Sequence, residues 1–165
     1  MHAPMKSYRL SIRFLQALAV LSGLAVLAGL LLFPLKEGRA AQLSLFEVYS
    51  DPFILYLYAA SAAFFAGVYQ AFGLLGCLMR REALSAEAAR KLRRIRYCAL
   101  ALGCALAAAG LYIRLFHHRS DDPAGFLVLC AAAVLASFAT AAAAAAKEQL
   151  LQEALERIGR AQMSA

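Results

Sequence analysis

Charge is nearly absent from most of this chain. Four apolar stretches, residues 14–33, 53–79, 97–116 and 125–146, fill more than half of the 165 residues, and Arg114 is the one charged side chain in any of them. Soluble domains keep apolar usage near roughly 45–50%; here it is 63%, with a mean hydropathy of +0.65, so no water-soluble core is being built. Strand-like alternation is missing as well, which together with the length of the stretches argues against a β-barrel. No carboxylate or histidine occurs at mid-span depth, which weighs against a proton-coupled pump built on acidic or histidine relays. No glycine-rich phosphate loop follows a strand, and neither H-E-x-x-H nor G-x-S-x-G occurs, so the common catalytic signatures are missing. The expectation is a protein that is not an enzyme and takes no cofactor. Cys77, Cys98, Cys104 and Cys130 form no C-x-x-C and lie within the stretches or at their ends, where thiols behave as small apolar residues; no disulfide is expected.

What is present points to the bilayer as solvent. An α-helix needs about 20 apolar residues to cross a hydrocarbon core roughly 30 Å thick, and each stretch has that length. The expected fold is all-α, a polytopic membrane protein built as a four-transmembrane-helix bundle, with residues 1–165 forming a single integral membrane domain. Thirteen of the seventeen Lys and Arg residues fall on one side: Lys6, Arg9 and Arg13 before the first span, Arg80, Arg81, Arg90, Lys91, Arg93, Arg94 and Arg96 between the second and third, and Lys147, Arg157 and Arg160 after the fourth. The positive-inside rule then places both termini in the cytoplasm. Tyr8 and Tyr97 fall at the inner boundary and Tyr49, Tyr56, Tyr58 and Tyr112 near the outer one, as amphipathic rings at headgroup level should. The first span is longer than a signal-peptide h-region and lacks a convincing cleavage site before Pro34, so it reads as a retained helix.

The outer connections are short. Both end in Asp-Pro, Asp51-Pro52 and Asp122-Pro123, and Asp at the N-cap with Pro at the first helical position suits a helix start. The inner connection, residues 80–96, reads as helical from Ser85 onward, with Ser85 as N-cap and Glu87 in the first turn, and runs into the third span. Residues 147–162 read as an amphipathic helix, with Leu150, Leu151, Ala154, Leu155 and Ile158 on one face and the i,i+4 pairs Glu153/Arg157 and Glu156/Arg160 on the other. That apolar face needs a partner.

Small residues recur every four positions, at Ala59, Ala63, Gly67 and Ala71 in the second span and Ala99, Gly103 and Ala107 in the third, with Ala19/Gly23 and Ala25/Gly29 in the first. Such faces let helices approach in lipid, where no hydrophobic drive separates helix from solvent; they serve an intramolecular bundle, or one of them serves a homodimer. In the alanine-rich fourth span, Ala139 and Ala143 are the positions expected to be in contact. Gln70, Thr140 and Gln16 lie at similar depth and are candidates for hydrogen bonds across helices. Arg114, about a turn from the outer end of the third span, is expected to snorkel and form a clasp with Asp51, Asp121 and Asp122; a site for an anionic ligand is the alternative. His117, His118, Asp121 and Asp122 are metal-capable types, though such groups in an external loop are common without an ion, and no metal is assigned. Arg90, Lys91, Arg93, Arg94 and Arg96 report topology at the least, and can also bind anionic phospholipid headgroups at about 1 kcal/mol each or dock an acidic cytoplasmic protein. Direct nucleic-acid contact is not expected, because no recognition fold accompanies the charge.

Asp51-Pro52-Phe53, Tyr56-Leu57-Tyr58, Tyr69-Gln70-Ala71-Phe72, Leu74-Leu75, Leu84-Ser85, Leu92-Arg93, Ile95, Tyr97-Cys98-Ala99-Leu100, and Asp121-Asp122 followed by Ala124-Gly125 resemble the bacterial domain-of-unknown-function family two-nine-seven-five, from about residue 51 to 146. Leu84 departs from the Phe expected before the Ser, and Pro123 interrupts the acidic pair and Ala-Gly. The resemblance implies a small four-span inner-membrane protein without an assigned activity. Some members are encoded beside small helix-turn-helix regulators, which implies a regulatory partner. The functional expectation is a small regulatory or scaffolding membrane protein, with an oligomeric transporter or channel as the alternative. If Arg114 clasps the outer rim, Arg114→Gln lowers the thermal stability of the purified protein, and an unchanged melting temperature rules the clasp out.

Overall fold

The computed structural model of the chain describes residues 3–36, 52–80, 82–116 and 124–163. Four helices account for nearly all of them: α1 (Ala3–Lys36), α2 (Pro52–Met79), α3 (Ala86–Phe116) and α4 (Ala124–Met163). All four are long and apolar enough to cross a membrane, and among the described residues there is no strand. The helical outcome follows from the solvent: in hydrocarbon each backbone N–H and C=O must find its partner within the segment.

The elements begin and end where the local chemistry directs. Pro52 opens α2, and its missing N–H costs nothing at a first helical position. At the other end of α2, the Arg80 N–H donates to Gly76 O at 3.1 Å and the Glu82 N–H reaches five residues back to Cys77 O at 3.0 Å, the wide bond that satisfies a terminal carbonyl. Ser85 then caps α3, its Oγ accepting from the Ala88 N–H at 3.1 Å. The third span and the basic connection therefore form one helix. The same holds for α4, where the apolar span and the amphipathic segment continue without a break over 40 residues.

Packing runs in chain order. α1 packs on α2, α2 on α3 and α3 on α4, with at most a marginal contact in any other pairing. The closest of these seams joins α3 to α4. Its α4 side is Cys130, Ser137, Ala141, Ala144 and Glu148, all buried, at intervals of seven, four, three and four that keep one stripe facing the neighbour. Opposite lie Gly103, itself buried, and Gly110, where an added Cβ would stand 3.7 Å from Cys130 Cβ. A Cβ added at Gly103 would stand 3.3 Å from Ser137 Cβ and 3.4 Å from Phe138 Cζ, so the small residue there sets the interhelical distance. The register differs from expectation: Ala139 and Ala143 are exposed, and Ala141 and Ala144 are the contact positions. A run of alanines has no amphipathic contrast, so nothing within it marks the buried face.

Tyrosines supply the remaining ties. Tyr56 donates its hydroxyl to Ala105 O on α3 at 2.8 Å, and Tyr58 to Leu30 O on α1 at 3.0 Å. These rings thus link helices through backbone carbonyls, where the sequence pattern suggested headgroup anchors. At the same end, Phe53 of α2 stacks on Tyr112 of α3 at 6.0 Å and meets Phe126 of α4 edge-on at 6.2 Å, so one aromatic group fastens three helices.

α1 is the least embedded element. Ile12 is its one buried residue among those described, and Gly23 and Gly29 have nothing within 4 Å of an added Cβ, so those small residues do not serve a close helix contact. α1 and α4 share at most a marginal contact, and a groove of about 730 Å³ is lined by residues of all four helices. Its hydroxyls are internally occupied: Ser22 donates to Ala19 O, Ser61 to Tyr58 O, Ser137 to Ala133 O and Thr140 to Ala136 O, all at 2.7–2.8 Å. Ala141→Leu is expected to destabilise by about 1–3 kcal/mol through overpacking, whereas Ala139→Leu stays within about 0.5 kcal/mol; thermal unfolding of both variants in the same detergent checks the register.

Candidate functional site: a buried carboxylate between two arginines

The charged residues gather where α3 begins and α4 leaves its apolar stretch. Glu148 is only 3% exposed, one turn past Ala144 on the stripe that α4 turns toward α3. Arg93 Nε donates to its Oε1 at 2.6 Å, and Arg96 Nη1 stands 3.0 Å from its Oε2. The second contact is a charge pairing without an aligned hydrogen bond. Gln152, one turn further along α4, adds an amide donor to Oε1 at 3.4 Å. A carboxylate this deeply covered is tolerable only when neutralised and hydrogen-bonded, and two arginines three residues apart present that charge on one helical face. The Glu148 carboxylate in turn holds the Arg93 guanidinium more firmly protonated than usual, through their hydrogen bond first and Coulomb attraction second. Arg96 also lies over the adjacent Tyr97 ring, its guanidinium carbon 4.9 Å from the centroid.

A second pair lies a turn earlier. Lys91 Nζ is 3.0 Å from Glu87 Oε1, and this bond, with the lysine charge, keeps the Glu87 carboxyl below the usual carboxylate range. Cys77, Glu82 and Glu87 bring a thiol and two carboxylates within 4.8 Å of one another. Glu87 already faces Lys91 and also feels Arg90 and Arg80, which makes the place electrostatically poor for a cation.

The basic connection therefore divides. Lys91, Arg93 and Arg96 are engaged with acidic groups of the protein, whereas Arg90 and Arg94 are exposed and make no ion pair among the described residues. Arg114 is exposed near the opposite end of α3. Its expected partners Asp51, Asp121 and Asp122, and with them His117 and His118, lie outside the described residues. Gln70 is half-buried on α2 and makes no hydrogen bond among the described residues, and Thr140 spends its hydroxyl on its own helix. Sequence reasoning missed Glu148 altogether. The available signal was its position: it is the first carboxylate after the alanine run, one residue past Lys147, where a helix leaving the bilayer still faces its neighbour.

Four apolar helices with a charged cluster at one end define a polytopic membrane protein whose packed charges are structural. The chain belongs to the family described as a protein of unknown function (DUF2975), whose model matches residues 35–158. It is similar to an uncharacterized membrane protein, YoaS, of Bacillus subtilis (strain 168), at 32% identity over 150 residues, covering 90% of this chain and 93% of that protein. No solved structure matches. Glu148→Gln and Arg96→Met are each expected to lower the melting temperature, with the double variant less destabilised than their sum by a coupling of about 0.5–3 kcal/mol. Additive effects in the double-mutant cycle would remove the pairing.

Proposed function

We propose that the chain is a non-catalytic bacterial inner-membrane protein with both termini in the cytoplasm, and that it acts as a small regulatory or scaffolding protein through protein contacts at its basic end. The observation that carries this reading is the length of α4. Forty residues at 1.5 Å each extend about 60 Å, roughly twice the hydrocarbon thickness, so a helical arm continues past the span. Along it Leu150, Ile158 and Met163 are 61%, 44% and 85% exposed, while Leu151, Ala154 and Leu155 are half-covered. An amphipathic arm in water with part of its apolar face open is suited to a partner helix or groove. Exposed Arg90 and Arg94 beside it add a cationic rim for an acidic surface.

The alternative of an oligomeric transporter or channel draws less support. The groove shared by the four helices is lined without a charged or amide side chain, and its hydroxyl donors are spent on backbone carbonyls. Full-length protein and a variant truncated after Gln149, which keeps Glu148, are expected to differ in affinity capture from native membranes. The partner is retained by the first and lost by the second, which stays folded and melts slightly lower for the loss of the Gln152 bond. Identical captured proteins, or solute flux in liposomes by the truncated form, would defeat the proposal.

A further inference from the structure

We propose that the groove is a binding site for an anionic glycerophospholipid, which lays one acyl chain along the four helices and sets its headgroup near Lys147. The groove's length and lining favour an extended hydrocarbon chain. On α2 it runs from Ile54 to Ala71, and 71 − 54 = 17 residues at 1.5 Å correspond to about 25 Å of helix axis, most of the roughly 30 Å hydrocarbon thickness of a bilayer.

The lining agrees with that chemistry. Alanine side chains at positions 19, 63, 71 and 136 keep the slot open while presenting only methyl groups. Every groove hydroxyl with a described bond donates to a backbone carbonyl, so none is left aimed at a polar ligand. α1 and α4 share at most a marginal contact, which leaves room between them for a chain to enter sideways without leaving the hydrocarbon.

Charge decides which lipid. Lys147 lies seven residues beyond Thr140, hence on the same face of α4 and about 10 Å past the end of the groove. It is exposed, has no carboxylate three or four residues away on α4, and makes no ion pair among the described residues. The adjacent acid, Glu148, is turned toward α3 and neutralised by Arg93 and Arg96. The end of the groove therefore presents an uncompensated cation where α4 leaves its apolar stretch.

The test uses full-length protein in phosphatidylcholine nanodiscs doped with phosphatidylglycerol carrying a photoreactive diazirine in one acyl chain, with the same chain on phosphatidylcholine as reference. Crosslinks are expected in the segments 60–71 and 133–140, with phosphatidylglycerol favoured over phosphatidylcholine. Lys147→Gln reduces that preference about fivefold, equivalent to about 1 kcal/mol for one cation near the surface. Ala136→Phe, which fills the slot, abolishes the groove crosslinks, whereas Leu135→Phe on the lipid-facing side, where Leu135 is 72% exposed, leaves them intact. Excess unlabelled phosphatidylglycerol competes them away in the unaltered protein, a readout independent of whether any variant folds. Equal labelling around the whole perimeter, labelling insensitive to competitor, or crosslinking of the groove to a second copy would overturn the proposal.

Discussion

Hydrocarbon offers a helix nothing to hydrogen-bond and no reward for touching another helix in place of lipid, and the arrangement of this protein depends on that constraint. Once each backbone is satisfied within its own helix, association rests on close approach and on a few polar ties. Both are found on α3. Gly103 admits Ser137 and Phe138 of α4, Ala105 O accepts the Tyr56 hydroxyl of α2, and Arg93 and Arg96 grip Glu148. α1 is joined to α2 by the Tyr58 hydroxyl on Leu30 O and is largely exposed. The central place of α3 follows from the number of anchors it carries.

The membrane architecture was legible because it depends on quantities summed over many residues. Twenty apolar positions in a row need no knowledge of which face is buried. The Ser85 cap was equally legible, since capping is a contact between a side chain and a backbone group three residues away. The facing of α4 was not. Along Ala141–Ala146 every side of the helix has the same hydrophobicity, so burial of Ala141 and Ala144, and not of Ala139 and Ala143, is decided by neighbours outside the run.

The candidate site was legible by half. Arg93 and Arg96 stood out as charges, but the sequence assigned them outward, and the carboxylate they hold comes from 52 residues beyond Arg96 in the chain. Tyr56 and Tyr58 show the same limit in reverse, for amphipathic rings at a span end suit headgroups as well as carbonyls, and only the adjacency of helices separates the two. Long-range pairing between sparse polar groups leaves no periodicity behind.

The unbroken course of α4 has a mechanical meaning. From Phe126 to Arg157 it contains neither proline nor glycine, so the part beyond Lys147 and the part within the apolar stretch turn as one rod. The seventeen residues from Lys147 to Met163 form a lever about 24 Å long, and a 10° change in tilt at its base sweeps the tip through about 4 Å. The fulcrum is the Glu148 clamp, which fixes the rod to α3 at the level where it emerges. Any tilt of the apolar part is therefore carried rigidly to the arm beyond the clamp.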